Sequence, residues 1–561
     1  MTDKGLLLIP ALLGALTPAA TGAPSHGAHG AATGGPPPAV AAPPATTVPL
    51  LGNLGSHHHV IATGSDKAQQ YFDQGLRLVF GFNHDEAEHA FLEAARLDPD
   101  CAMAFWGVAL ALGPNINLSL DPERNARAYD AIQTARTLSA QASEPEAAYI
   151  RALGARYSLD PAADRAVLDR AYAKAMGELS RRYPDDLDAA TLYAESLMDL
   201  RPWKHWNKDG TPAEETEEIV SVLESVLKRD PLHPGANHYY IHAVEASPHP
   251  ERAIPSAKRL ERLVPGAGHL VHMPAHVYMR TGDYAGAVKS NRVAAEVDEA
   301  YIRSRHITGM YPVMYYAHNL HFLAMAAGME GNSAAARDGA VRLAAFLKDA
   351  VADMPMAEFM LPAPLYVALR FQGWNDVLRQ PAPDRLFATT AALRHFARGV
   401  AHAALKDVKQ AEADRREFDE ARGRVPSDAL FNLNTSAGVL EVAAAVLDAR
   451  IASAKGDHAA ALSAWRKGVA AEERLNYDEP PVWYYPVRES LGAELLRAGK
   501  PQEAEKVFRE DLAKNPRNGR SLFGLWKSLA AQKKRQEAKT ARRDFEAAWK
   551  NADVELELSD L

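Results

Sequence analysis

Only one of the 561 residues is cysteine, Cys101. That excludes an internal disulfide and a thiolate-based zinc site, so a metal held here would have to rely on His, Asp, Glu or Met. Basic charge is also short. The 63 Lys and Arg stand against 71 Asp and Glu, a formal net charge of −8, whereas a protein that works on nucleic acid usually presents a clustered basic surface. Nucleic acid is therefore not an expected partner. After the first residues no stretch approaches the roughly 18 uninterrupted apolar residues of a membrane span, and strand-like alternation is almost missing. The chain has no phosphate-cradling glycine loop, no G-x-S-x-G elbow and no HExxH. HMPAH at 272–276 has zincin spacing but carries Met273 where the catalytic glutamate belongs, which disfavours zincin-type peptidase chemistry.

What the chain does have is histidine, 21 in all, in a background of 47% hydrophobic residues that suits a large folded core. Residues 1–23, MTDKGLLLIPALLGALTPAATGA, have a lysine, an apolar run and small residues in the layout of a secretory signal peptide. An exported protein, periplasmic or secreted, is the expectation. Residues 24–60 are read as a disordered Ala/Gly/Pro linker, with His57, His58 and His59 as a polar loop at the edge of the fold.

From residue 61 to about 550 helical signals recur with small-residue punctuation. Tyr71, Gly75, Leu78, Ala87, Phe91, Ala94 and Pro99 fall at positions 4, 8, 11, 20, 24, 27 and 32 of a repeat, and Gly492, Leu495, Ala504, Phe508 and Pro516 at positions 8, 11, 20, 24 and 32 of another. GDYAGAV at 282–288, GNSAAAR at 331–337 and GDHAAAL at 456–462 add partial matches. The pattern resembles the tetratricopeptide repeat. The resemblance implies an all-α, right-handed solenoid of helix pairs with a concave groove, in which small residues at 8 and 20 let helices approach, a large residue at 24 fills the gap and proline near 32 ends the second helix. Insertions are expected near 201–212 and 354–366, and residues 551–561 as a frayed acidic tail beyond a basic capping helix.

The proline and glycine punctuation gives a frame for the histidines. With Pro231 at position 32, His238, His242 and Glu245 take positions 5, 9 and 12; with Gly282 at 15, His269, His272 and His276 take 2, 5 and 9; with Gly331 at 15, His318, His321 and Met325 do the same. At about 100° per residue these positions share one helix face, the face that in the tetratricopeptide family lines the inner groove. Seven histidines with Glu245, and Glu195 from an earlier helix, are thus expected to converge. Imidazoles at i, i+4 can hold one ion, and a third from a neighbouring helix leaves a position open. Without thiolates, copper, iron, zinc or manganese would suit such a site, and Met325 tilts the choice toward copper. Pro274 interrupts the stripe and puts the placement of His269 in question. The alternatives are a His-lined groove for an anionic or peptide ligand, and plain structural histidines.

Trp203, Trp206, Trp483 and Tyr484 could wall a pocket for an organic substrate, with Arg488 holding a carboxylate or phosphate, and Glu245 could serve as general base on a metal-bound water. Two functions follow. One is an exported metalloprotein, hydrolytic or oxidative if an enzyme, acting on a small molecule. The other is an interaction scaffold that binds a partner protein or peptide in the concave face, the usual work of the tetratricopeptide family. A groove of His and Glu rather than Asn, Lys and Arg favours the first.

Overall fold

The computed structural model describes residues 48–384 and 386–561. How its helices pack is shown by Gly75, Phe91 and Gly107, which sit on the consecutive helices Asp66–Phe80, His84–Leu97 and Ala102–Leu112. A Cβ on Gly75 would lie 2.6 Å from the Phe91 ring and one on Gly107 2.3 Å from it, so a fully buried phenylalanine is wedged between the first helices of successive pairs. Near the other end Phe508 stands between Gly492 and Gly524 in the same way, at 2.4 and 2.1 Å. The expected small-against-large pattern is therefore the actual packing rule, and the fold is an all-α array of tetratricopeptide-type helix pairs. Among the described residues the only sheet pairs two-residue strands, Leu430–Phe431 with Asn434–Thr435. No described helix is long and apolar enough to cross a membrane.

Capping side chains set where many helices start. Ser65, Asp186, Asp283, Asn332, Asp407 and Asp457 each accept a hydrogen bond from a first-turn backbone N–H, satisfying donors the helix itself cannot. Glycine in the left-handed region ends two central helices, Gly282 at φ 78° and Gly331 at φ 83°. Both insertions break the period. Residues 201–212 form an irregular loop pinned by a Trp206–Pro212 bridge, and 354–366 contain a 3₁₀ turn, Pro355–Met360, before the helix Ala363–Arg370.

The array departs from an open groove because both ends fold onto the middle. Glu86 of an early helix accepts from Tyr301 and Arg305 of the helix Tyr284–Arg305, at 3.0 and 3.1 Å. From the other end, the Tyr284 hydroxyl donates to Pro516 O at 3.2 Å, Asn551 donates to Glu330 at 2.8 Å and the Trp549 ring lies against Gly331. Buried Arg370 pairs with buried Glu489. Six of the seven histidines expected to line the groove, His238, His242, His269, His272, His276 and His321, are buried.

Two boundaries are also corrected. The linker expectation fails from Val48 onward: Val48, Leu54 and Ile61 are buried, Tyr71 donates to Val48 O at 2.6 Å, and Gln74 holds the backbone of Leu51 and Pro49. Residues 551–561 are docked rather than frayed. Arg520 donates to Asp560 O at 2.6 Å, Ser490 to the main-chain oxygen of Leu561 at 2.5 Å, and Arg497 to Leu558 O at 3.2 Å. Hydrogen bonds from arginine and serine side chains to main-chain oxygens of the tail, invisible to a composition argument, explain the difference. The leader expected at 1–23 lies outside the described residues.

Candidate metal centre

Four helices bring the histidines together. His238 and His242 come from Pro234–Val244, His269 and His272 from Gly268–His272, His276 from Pro274–Thr281, and His318 from Ala317–Glu330. Pro274 does break the third helix, but at its own N1 position, where a proline is tolerated. Met273 keeps αR geometry across the break, and His269 stays on the shared face. The first three donor atoms, of His238, His242 and His269, lie within 4.8 Å of one another, and so do those of His272, His276 and His318. The two triads are adjacent, with ring centroids 5.5 Å apart for His242 and His276 and 5.9 Å for His269 and His272. His238, His242, His269, His272 and His276 are each at most 4% exposed, and His318 is half-buried.

Hydrogen bonding fixes the tautomers. His238 Nδ1 lies 2.6 Å from Phe80 O, an atom that can only accept, so Nδ1 carries the proton and Nε2 a lone pair. His272 Nδ1 lies 2.6 Å from Asn291 Oδ1, whose own amide nitrogen donates to Ala287 O and thereby sets the orientation. His242 Nδ1 is 2.7 Å from Glu245 Oε1, and His276 Nδ1 is bonded to Glu245 Oε2. Four Nε2 lone pairs are thus turned inward. His272 Nε2 and His276 Nε2 face each other at 2.7 Å, His238 Nε2 meets His269 Nε2 at 3.1 Å, and buried His242 Nε2 has no partner. Burial opposes relieving this with protons: it holds His238, His269, His272 and His318 well below the ordinary imidazole range, with the neighbouring imidazoles adding to the effect. His276 differs. Burial pulls it down, but the Glu245 charge and hydrogen bond outweigh that and raise it.

Glu245 does not stand where a general base should. Both of its oxygens are engaged by imidazole Nδ1 atoms, one from each triad, and the two imidazoles hold its carboxyl well below the usual range against the upward push of burial. The expected base is an orienting carboxylate shared by two candidate ligands. Its Oε2 also lies 3.3 Å from the Tyr477 hydroxyl.

Two expected members of the centre fall elsewhere. His321 packs edge-on to Phe359 and belongs to neither triad. The stripe that faces the centre runs Tyr315, His318, Phe322, with Phe322 within 5.0 and 5.1 Å of the His272 and His276 rings. His321 lies about 60° behind His318 on that helix. A π-helical turn, Pro312–Tyr316, sets the phase and lays Tyr315 against His269 at 4.7 Å. Glu195 sits instead beside Asp199 and Arg156, where burial first and the Asp199 charge second raise its carboxyl. The expected aromatic pocket is divided. Trp203 stands edge-on to His242 at 5.4 Å and Trp206 donates to Ala243 O at 2.8 Å, whereas Trp483, Tyr484 and Arg488 line a separate cavity, and Arg488 is already paired with Glu473 at 2.7 Å.

Several participants were not found from the sequence. Phe82, in the left-handed region at φ 56°, wedges against His238, His242 and His269; such a backbone costs about 1–3 kcal/mol and persists only where packing holds it. Buried His205 lies near His242 with its Nε2 unpartnered, burial drawing it down to about 4. Asn291, Tyr477 and Glu479 complete the surround. Only Asn291 had a readable signal, its place one helix beyond the histidines. A second cluster gathers His57, His59 and His233 on Asp188, at 2.9, 2.8 and 3.1 Å. It is built differently. His233 Nδ1 accepts from Ala236 N–H, so Nε2 carries the proton and donates to Asp188. The His57–His59 run is therefore a strap held on two carboxylates, Asp188 by His57 and His59 and Asp73 by His58, rather than a polar loop.

No family model matches the chain, and no curated protein does. Among solved structures, yeast Tom70 overlaps 86% of this chain and 92% of its own at 12% identity and a TM-score of 0.28. The human IFIT1 dimer covers 87% and 96% at 12% identity and a TM-score of 0.34, and the P58(IPK) TPR domain 84% and 99% at 11% and 0.21. The fold assignment rests on the packing described above.

Proposed function

We propose that this protein is a metalloprotein in which two adjacent triads, His238/His242/His269 and His272/His276/His318, each hold a first-row transition metal ion. The observation that carries the proposal is the set of inward lone pairs. Backbone and side-chain acceptors assign the Nδ1 protons of four buried imidazoles, which leaves Nε2 atoms facing one another or facing nothing. A cation between them relieves that arrangement. A proton on His276 answers the first contact and an Nε2–H tautomer of His269 the second, but the buried His242 Nε2 stays without a partner.

Glu245, Asn291 and Phe80 O supply the outer hydrogen bonds that orient imidazole ligands and raise their basicity. Three neutral imidazoles per ion suit copper, zinc or iron and leave coordination positions free, and ions in neighbouring sites can clamp one substrate from two sides. The His57/Asp188/His233 cluster is not included, because its His233 Nε2 is a donor. Helix-pair arrays commonly carry extended surfaces for protein partners.

Elemental analysis of untagged protein tests the reading. We expect about two equivalents of one first-row metal after reconstitution, and a loss of about half in His242→Ala and in His276→Ala. Below about 0.2 equivalents in correctly folded wild-type protein, the proposal fails.

A further inference from the structure

Beside the centre lies a cavity of about 310 Å³, large enough for a small organic molecule. Part of its wall is apolar and deformable, built from Met279, Met325, Met329, Trp483, Tyr484 and Tyr284. The charged groups around it are almost all engaged. Arg488 and Lys514 both bind Glu473, at 2.7 Å each, and Arg280 donates to Glu245 O at 3.0 Å. Asp511 accepts from Ser521, Asn515 and Asn518, and Asp478 from Asn432 and Asn434. Of the lining cations only Arg280 lacks a carboxylate partner, and it is held by the main-chain oxygens of Glu245 and Ser247 and lies over the Tyr477 ring. Two lining residues keep an unpartnered polar atom: Glu479 is 5% exposed and its Oε2 has no partner, while Oε1 is bonded to the Tyr477 hydroxyl, and the buried Trp483 Nε1 has none either.

We infer that this cavity binds an uncharged aromatic molecule carrying one hydroxyl group, with the ring against Trp483 and the methionines and the hydroxyl on Glu479. A hydroxyl fits because it donates to a carboxylate and accepts from a carboxylic acid, so it satisfies Glu479 in either state. Methionine thioethers against a ring favour an aromatic over a plain aliphatic body. The same residue leads to the histidines. Tyr477 has a single proton and two carboxylate neighbours, Glu479 and Glu245, so a proton held by Glu479 allows an unbroken run of hydrogen bonds from Glu479 through Tyr477 and Glu245 to His276. That the bound molecule is a substrate of the centre rests on the metal reading; that it binds does not.

The test therefore uses full-length protein stripped of metal, with 4-ethylphenol and ethylbenzene as probes, followed by calorimetry and by tryptophan fluorescence. We expect saturable binding of 4-ethylphenol, about tenfold or more tighter than ethylbenzene, and loss of that preference in Glu479→Met. Met329→Trp, which fills the cavity, should abolish binding of both probes; both variants are first checked for wild-type circular dichroism. Equal binding of the two probes, an unchanged preference in Glu479→Met, or undiminished binding in Met329→Trp would each overturn the inference. Absence of metal in wild-type protein bears only on the centre.

Discussion

A single carboxylate, Glu245, touches an imidazole of each triad, and its replacement separates orientation from ligation. Glu245→Gln keeps size but can serve only one imidazole Nδ1–H as acceptor. We expect metal affinity to fall about 10- to 100-fold, the usual effect of losing an outer-shell partner, with helix content unchanged, as read by metal-competition titration and circular dichroism. Asp298 permits a prediction without metal. Burial raises its carboxyl to about 7, although Tyr311 and Asn319 donate to it and pull the other way. The unfolded chain loses this proton near 3.8 and the folded protein near 7, so between those values the unfolded state binds fewer protons and stability falls as pH rises. Relative to Asp298→Asn, wild-type protein should lose on the order of a few kcal/mol from pH 4 to 7 in denaturant titrations. A flat difference would refute the shift. At this scale the clustering of the histidines and much of their register were legible in the sequence. It concealed the role of Glu245, because spacing places a residue on a face without saying which atoms it meets.

Helix pairs depend on a few positions where no side chain fits. Gly107→Ala would drive a methyl into the Phe91 ring and Gly268→Ala would place one 2.0 Å from Asp298 Oδ1. Each should cost about 1–3 kcal/mol by thermal or chemical unfolding. Only Gly268→Ala should also lower metal content, since its helix carries His269 and His272. Repeat packing was legible because glycine at position 8 and phenylalanine at 24 have a purely local steric meaning. The π turn at Pro312–Tyr316 was not legible. It belongs to no repeat pattern, and by setting the phase of the next helix it gave Phe322 the place expected of His321.

The whole molecule is held closed by its last residues. Arg520 is 2% exposed and donates to Arg370 O and Asp560 O, at 2.8 and 2.6 Å. Shortening the chain after Ala552 leaves that guanidinium short of a partner and uncovers Ser490 and Arg497. We expect a loss of several kcal/mol, at about 1.5–3 for each hydrogen bond to a charged group, seen as a lower melting temperature. Closure was hidden from the sequence, since docking of Tyr477 on Glu245 or of Asn551 on Glu330 joins segments that share no pattern. It also changes how the chain must reach its native state. An open solenoid folds by adding neighbours, one short loop at a time. Here Glu86 must find Arg305 and Glu245 must find Tyr477, partners 219 and 232 residues apart in the chain. Loops of that size are closed late and at an entropic cost that local repeats never meet. The kinetics should accordingly show a slow final phase, the helix pairs forming early and the histidine face sealing last.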